Sequence, residues 1–404
     1  MIKKVAFDQL RPGMFVHDLN CGWLQHPFLR NRFKVHTDED IQKFSQYGIR
    51  EVYIDTLLGL DVADAQTEEE VKAEVHEKMV QVVEAQPIRP HPRPMREELT
   101  VARQVHHEAN QAVHTIMTDI RVGKQIEVEQ VNPVVERITE SILRNQDALI
   151  SLGRIKQKDA YTFQHSVNVC ALLVSFCNAM EFAPKVIREI GLGGLLHDIG
   201  KMKVPLSILN KPGSLSEKEF EVMKAHVTLG QEILRETPNI PESAIIVAGQ
   251  HHERYDGTGY PGQLKYDQIS VFGQMASIVD VYDALTSNRI YHQGEEPTGV
   301  LRRLYEWSKF HFDQELVQRF IRTIGIYPVG SLVSLESGRL GIVIEQGQES
   351  LLKPVVRVIF DLKQGFKLSP RDVDLGKPVG QGGADRIVGY ELPEKWKLNP
   401  FEYI

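Results

Sequence analysis

Residues 251–261 read His251-His252-Glu253-Arg254-Tyr255-Asp256-Gly257-Thr258-Gly259-Tyr260-Pro261, and the rest of the chain is read outward from them. An apolar segment, 245–248, runs into the two adjacent histidines. Beyond them Asp256-Gly257 and Gly259 supply positions open to positive φ, and Pro261 fixes the exit of the turn. Paired imidazoles beside a rigid glycine turn suggest a metal site with a shaped loop over it. The remaining ligands must then come from elsewhere in the chain.

Candidates stand at regular distances. They are His165, His197, Asp198, His226, His251, His252 and Asp280, separated by 32, 28, 25 and 28 residues when adjacent pairs are taken together. Each interval is about one antiparallel helix pair, so successive helices would bring these groups together inside a bundle. Nitrogen-rich ligation with a few carboxylates suits Fe, Mn, Co, Ni or Zn rather than Ca. Neighbours on a helix diverge by about 100°, so His197-Asp198 and His251-His252 can share a centre only where a helix ends. Both pairs precede glycines, which mark such ends. Asp198 could bridge two ions, which an imidazole cannot. Each candidate taken singly also has a plain reading: a hydrogen-bonded core histidine, or a helix aspartate paired to an arginine. Glu253 would orient an imidazole or cap the helix end. His17, His26, His36, His76, His91, His106, His107, His114 and His311 lack a carboxylate cluster and are read as ordinary histidines.

Composition excludes several classes. The 404 residues suggest two or three domains, and 42% hydrophobic with 25% charged residues is ordinary for a soluble globular protein. With 47 Lys and Arg against 54 Asp and Glu the net charge is −7, which argues against a DNA binder. An anionic substrate would be met by local cations or metal ions. Cys21, Cys170 and Cys177 form no disulfide framework; Cys170 and Cys177 share a helix face as buried thiols, which fits a reducing cytoplasm. No signal segment or membrane span is expected: the longest apolar stretch, 167–180, is broken by Asn168, Ser175 and Asn178.

The expected fold class is multidomain α+β: a central all-α bundle with small β-rich regions at each end. Residues 1–60 read as a β-rich accessory domain, with a turn at 10–14, a strand at 51–55 and Trp23, Phe28, Phe33 and Phe44 for its core. Residues 61–96 read as a linker, first an acidic amphipathic helix and then the proline-rich run 88–94. Residues 97–328 read as the all-α domain. Helices start at Asn132-Pro133, span about 162–179, run from Pro184 to Gly200, start at Ser216 and at Pro241, and cover 272–286 and 297–310. Residues 329–404 read as a small β appendage with strands at 331–335, 341–344 and 355–360.

At this point the motifs resemble a known family. The run Gly193-Gly194-Leu195-Leu196-His197-Asp198-Ile199-Gly200-Lys201 and the stretch 251–261 look like the paired signatures of the HD-GYP proteins, a branch of the HD phosphohydrolases. The likeness continues through 161–166, 208–213 and 276–286 and covers about residues 130–328. Residues 1–60 are similar to a domain of unknown function found ahead of this module. The resemblance implies a bacterial phosphodiesterase that opens cyclic di-GMP, or in some members cyclic GMP-AMP, to a linear dinucleotide or GMP by a metal-activated hydroxide. It implies a site of two or three divalent transition ions, with Fe or Mn favoured over Ni, Co or Zn. One would be held by His165, His197, Asp198 and Asp280, a second by Asp198, His226, His251 and His252. Asp198 and Lys201 would serve catalysis, and Lys201, Arg289 and Tyr260 would meet the substrate.

Some positions depart from the family pattern. Tyr161 stands where members with three metals carry glutamate, which favours two. Gln263 replaces the usual glycine, Tyr266 replaces a frequent one, and His292 replaces a basic residue. A loop so altered, 257–266, would be a candidate place for signalling partner proteins to dock. Two other readings are a slow, metal-loaded dinucleotide sensor and an HD-type nucleotide phosphohydrolase. The oligomeric state is left open, a dimer included.

Overall fold

The computed structural model describes residues 1–21, 32–46, 48–85, 91–154, 161–287, 294–378, 383 and 385–404. Trp23, His26, Phe28, Arg289 and His292 lie outside them. The fold class is the expected multidomain α+β.

The first module is an antiparallel sheet of order β1-β4-β2-β3. Its strands are β1 (Ile2–Ala6), β2 (Phe15–Asp18), β3 (Phe33–Lys34) and β4 (Glu51–Asp55), and α1 (Asp38–Gln46) lies between β3 and β4 in sequence. Val5, Val16, Phe44, Val52 and Ile54 form a core of their own, 0–1% exposed.

The bundle follows as α2 (Glu68–Glu84), α3 (Met95–Arg121), α4 (Val128–Gly153), α5 (Tyr161–Ala179), α6 (Pro184–Leu196), α7 (Leu206–Leu209), α8 (Glu217–Lys224), α9 (His226–Glu236), α10 (Glu242–Gln250), α11 (Val271–Thr286), α12 (Pro297–Trp307) and α13 (Gln314–Ile324). Local chemistry sets several starts. Thr67–Glu70 and Ser216–Glu219 are capping boxes at α2 and α8, as Ser216 led one to expect. Pro184 sits at the first turn of α6 and Pro241 caps α10.

Three boundaries differ from expectation. α4 begins at Val128, not at Asn132-Pro133. Pro133 lies inside it, and the carbonyl deprived of a partner belongs to exposed Glu129. α6 ends at Leu196 rather than Gly200, and a 3-10 turn takes over 199–203. The stretch read as a linker carries α2, whose Val71, Val75, Met79 and Val83 are buried in the main core.

That core continues into the C-terminal sheet, through Val333, Val343, Val356 and Val358. The sheet is antiparallel, of order β8-β7-β6-β5-β9, built of β5 (Leu332–Leu335), β6 (Arg339–Glu345), β7 (Val355–Asp361), β8 (Phe366–Asp374) and β9 (Ile387–Tyr390). The first three match the expected strands and the last two were not expected. All three cysteines are buried and free. Among the described residues no helix is long and apolar enough to cross a membrane.

Candidate metal centre

The bundle brings the seven candidates together. His165 comes from α5 and Asp280 from α11. His197 is the residue that ends α6, and Asp198 has already left the helix at φ −97°, ψ 9°. His251 ends α10 in the same way, so both adjacent pairs escape the 100° divergence of helical neighbours. His226 opens α9 after a bend at Ala225. Close backbone contact sets its depth: a Cβ on Gly200 would lie 1.9 Å from the His226 carbonyl oxygen.

Asp198 is the centre of the arrangement. Its Oδ2 lies 3.6 Å from His165 Nε2 and 3.4 Å from His197 Nε2. Its Oδ1 lies 3.3 Å from His226 Nε2 and 3.8 Å from His251 Nε2. Each carboxylate oxygen thus faces a different pair of imidazoles. Asp280 Oδ1 lies 3.0 Å from His165 Nε2 and 3.8 Å from His197 Nε2, while its Oδ2 lies 3.8 Å from His252 Nδ1. Ligand-type atoms converge in three groups: His226, His251 and His252; His165, His197 and Asp280; and His197, Asp198 and His251. Among the described residues none of the histidines read as ordinary joins such a group.

The far side of each ring sets its tautomer. Nδ1 of His197, His226 and His251 lies 2.7–2.8 Å from the carbonyl oxygen three residues earlier, of Gly194, Met223 and Ala248 respectively. A carbonyl only accepts, so each Nδ1 carries the proton and each Nε2 turns a lone pair inward. His165 Nδ1 makes the equivalent bond to Asp283 Oδ2 at 2.7 Å, and Asp283 Oδ1 accepts from Asn168 Nδ2 at 3.0 Å. Asp283 and Asn168 were missed by sequence reasoning. The signal for Asp283 was its place three residues after Asp280, on the same helix face.

Electrostatics divide the imidazoles: burial opposes a charge on His197, yet Asp198 and Asp280 raise its pKa above the usual imidazole range. Burial pushes His251 down to about 3 and His252 well below the usual imidazole range, so both are neutral at pH 7. Burial opposes the charge on Asp198, yet Lys201 and His197 hold its carboxyl well below the usual range. His197 Nε2 and Asp198 Oδ1 are buried without a hydrogen-bond partner. Orphaned polar atoms of this kind are costly unless something satisfies them. Imidazole nitrogens and carboxylate oxygens aimed at shared points are a donor set that fits divalent transition ions.

The solvent side of the cluster is marked by His252, whose side chain is 15% exposed. Lys201 Nζ donates to Asp198 Oδ2 at 2.5 Å. The Tyr260 ring stacks on His252 at 4.7 Å between centroids. Glu253 neither orients an imidazole nor caps the helix. Its carboxylate accepts the backbone N–H groups of Gly262 at 2.5 Å and Leu264 at 3.0 Å. It thereby holds the loop in which Gln263 and Tyr266 take φ of 51° and 46°. Those are the two positions where the family pattern led one to look for glycine.

Comparison with known proteins identifies the family. Residues 142–316 match the HD domain, and residues 2–131 match a domain of unknown function, DUF3391. A cyclic di-GMP phosphodiesterase of Pseudomonas aeruginosa is 41% identical over 401 residues, 98% of this chain and 94% of that protein. A cyclic di-GMP phosphodiesterase of Thermotoga maritima is 35% identical over 166 residues, 41% of this chain and 45% of its own. A 3'3'-cGAMP-specific phosphodiesterase of Vibrio cholerae is 40% identical over 124 residues, 30% of this chain and 24% of its own. Bundle and cluster together define an HD-domain protein. The chain belongs to the HD-GYP family, in the branch that carries a DUF3391 module ahead of the HD domain.

Proposed function

We propose that this chain is a metal-dependent phosphodiesterase that hydrolyses cyclic di-GMP. The observation that carries the reading is the division of Asp198, one oxygen toward His165 and His197 and the other toward His226 and His251. His165, His197, Asp198 and Asp280 would hold one divalent ion, and Asp198, His226, His251 and His252 a second, with Fe or Mn the preferred metals. Such ions, when bound, supply Lewis acidity that makes water nucleophilic near pH 7 and offsets charge on a phosphoryl group.

The chain's own groups do the rest. The Nδ1–H bonds to Gly194, Met223, Ala248 and Asp283 keep four rings in one tautomer and one orientation. Lys201, partly exposed beside Asp198, brings a fixed ammonium to the phosphodiester as negative charge grows on its oxygens. Tyr260, stacked on His252 at the mouth, is placed to meet the dinucleotide. The product is the linear dinucleotide, or GMP if cleavage repeats. The relative that spans nearly the whole chain supports cyclic di-GMP, and the Vibrio cholerae relative supports 3'3'-cGAMP as the competing substrate.

Anaerobic purification with Mn or Fe, elemental analysis and product chromatography on both dinucleotides test the reading. Asp198→Ala should lose metal and cut hydrolysis by more than about 100-fold, exceeding the loss typical of supporting residues. A folded Asp198→Ala protein with full activity would sink the proposal.

A further inference from the structure

The first module reaches the loop that carries Tyr260, and it does so by two routes. The direct one is Gly48, between α1 and β4, with φ of +71°. A Cβ there would lie 2.6 Å from Thr258 Oγ1 and 2.9 Å from both carbons of that side chain. The approach is therefore possible only for glycine, on both steric and backbone grounds. Thr258 is itself fixed, donating from its backbone N and its Oγ1 to Asp256 Oδ1 at 3.0 and 2.6 Å. Two residues on, the Tyr260 N–H donates to the His252 carbonyl oxygen at 3.1 Å while its ring covers the imidazole.

The second route passes through the end of α12. Lys4 and Tyr53 of the first module hold Glu306, at 2.9 and 2.8 Å. Asp18 accepts from Arg303 at 2.6 Å, and Asn20 accepts from the Trp307 indole at 3.0 Å. Trp307 in turn accepts the His311 N–H at 2.8 Å, and the His311 carbonyl accepts the Tyr255 N–H at 3.0 Å. Both routes end on residues 255–258, just before Tyr260.

We infer that Gly48 is a positioning residue of the site: the first module is the backing against which residues 255–260 are set, and through them Tyr260 over His252. The inference rests on reading 251–260 as the rim of the site, and not on which dinucleotide is the substrate. A displacement of about 1 Å at such a rim can cost on the order of 100-fold in turnover without touching the chemistry.

The test compares Gly48→Ala with Gly13→Ala in the full-length chain. Gly13 lies in the same module at φ +100°, so its substitution carries similar backbone strain. Its Cβ would meet only Leu60, at 3.0 Å, a side chain that is 54% exposed and free to give way. Hydrogen exchange of the Thr258 and Tyr260 amides is read in metal-free protein, and KM and kcat for cyclic di-GMP in metal-loaded protein. Gly48→Ala should speed exchange at both amides by about ten-fold or more and raise KM, with metal content unchanged. Gly13→Ala should leave both amides within about two-fold of the parent. Equal behaviour of the two variants at the loop overturns the inference. If Gly48→Ala does not fold, Gly48→Ala with Thr258→Gly decides. Recovery to the Gly13→Ala level supports a contact between the two residues, and no recovery overturns it. A parent protein inactive on cyclic dinucleotides refutes the proposed function, while the exchange comparison still decides the role of Gly48.

Discussion

A carboxylate has two oxygens, and Asp198 uses them on two different pairs of imidazoles. The choice of aspartate was legible in the sequence because the chemistry needs a bridging oxygen at a helix end. The groups that act through another residue were not. Asp283 lies inside the 276–286 motif but its role was not readable there, and Asn168 lies outside any motif; only the folded geometry joins them to His165. Residues 263 and 266 were legible in a different sense. Glycine was the expected residue at both, and both have positive φ. Their strain differs in consequence. Gln263→Gly should raise stability by about 0.5–1 kcal/mol, because relief of left-handed strain exceeds the added entropy of the unfolded chain. Tyr266→Gly should show no such gain, since it also loses the edge-on contact with Tyr255, 5.0 Å between centroids and worth about 0.5–1.5 kcal/mol. Urea midpoints of the two variants check the difference.

Among the elements, the helices were easier to read than the strands. Capping residues such as Ser216 and starting prolines such as Pro184 act locally, so their sequence signal survives folding. β8 contains Lys367, Pro370, Arg371 and Asp372 and is mostly exposed. Its polarity is what an outer strand needs to avoid pairing with other chains, and it hides the strand from a hydrophobic pattern. α2 is the opposite case. Its glutamates suggested a solvated connector, whereas a stripe at 71, 75, 79 and 83 packs into the main core. Met79 is 0% exposed. Met79→Ala should therefore lower stability by about 2–5 kcal/mol, measured by chemical unfolding. A free linker helix would lose less than about 0.5 kcal/mol.

At the scale of the whole molecule, stability has a pH dependence that the metal cluster does not set. Glu296, at the start of α12, is 8% exposed, and its Oε2 has no hydrogen-bond partner. Burial raises its carboxyl to about 7, with Arg154 opposing the shift. Between the ordinary value near 4.5 and about 7 the folded chain holds a proton that the unfolded chain has released. Stability should fall as pH rises through that window, on the order of 3 kcal/mol in all. Glu296→Gln should flatten this slope, which thermal melts at pH 5 and pH 8 would reveal.

The separation of the first module's core from that of the bundle has a further consequence. The first module buries its own apolar cluster, and its ties to α12 run through Lys4, Asp18, Asn20 and Tyr53, a buried polar seam in which Glu306 and Trp307 are 4% and 2% exposed. The bundle and the C-terminal sheet, by contrast, share an interior, to which the sheet adds a smaller cluster at Leu332, Leu340, Ile342 and Ile359. If the first module opens sub-globally, hydrogen exchange of its strand amides should be faster than that of the bundle's buried helices. On the backing role inferred for Gly48, such opening would loosen the 255–260 loop while the buried histidines and aspartates keep their packing, and access to the site would then scale with the folded population of the first module.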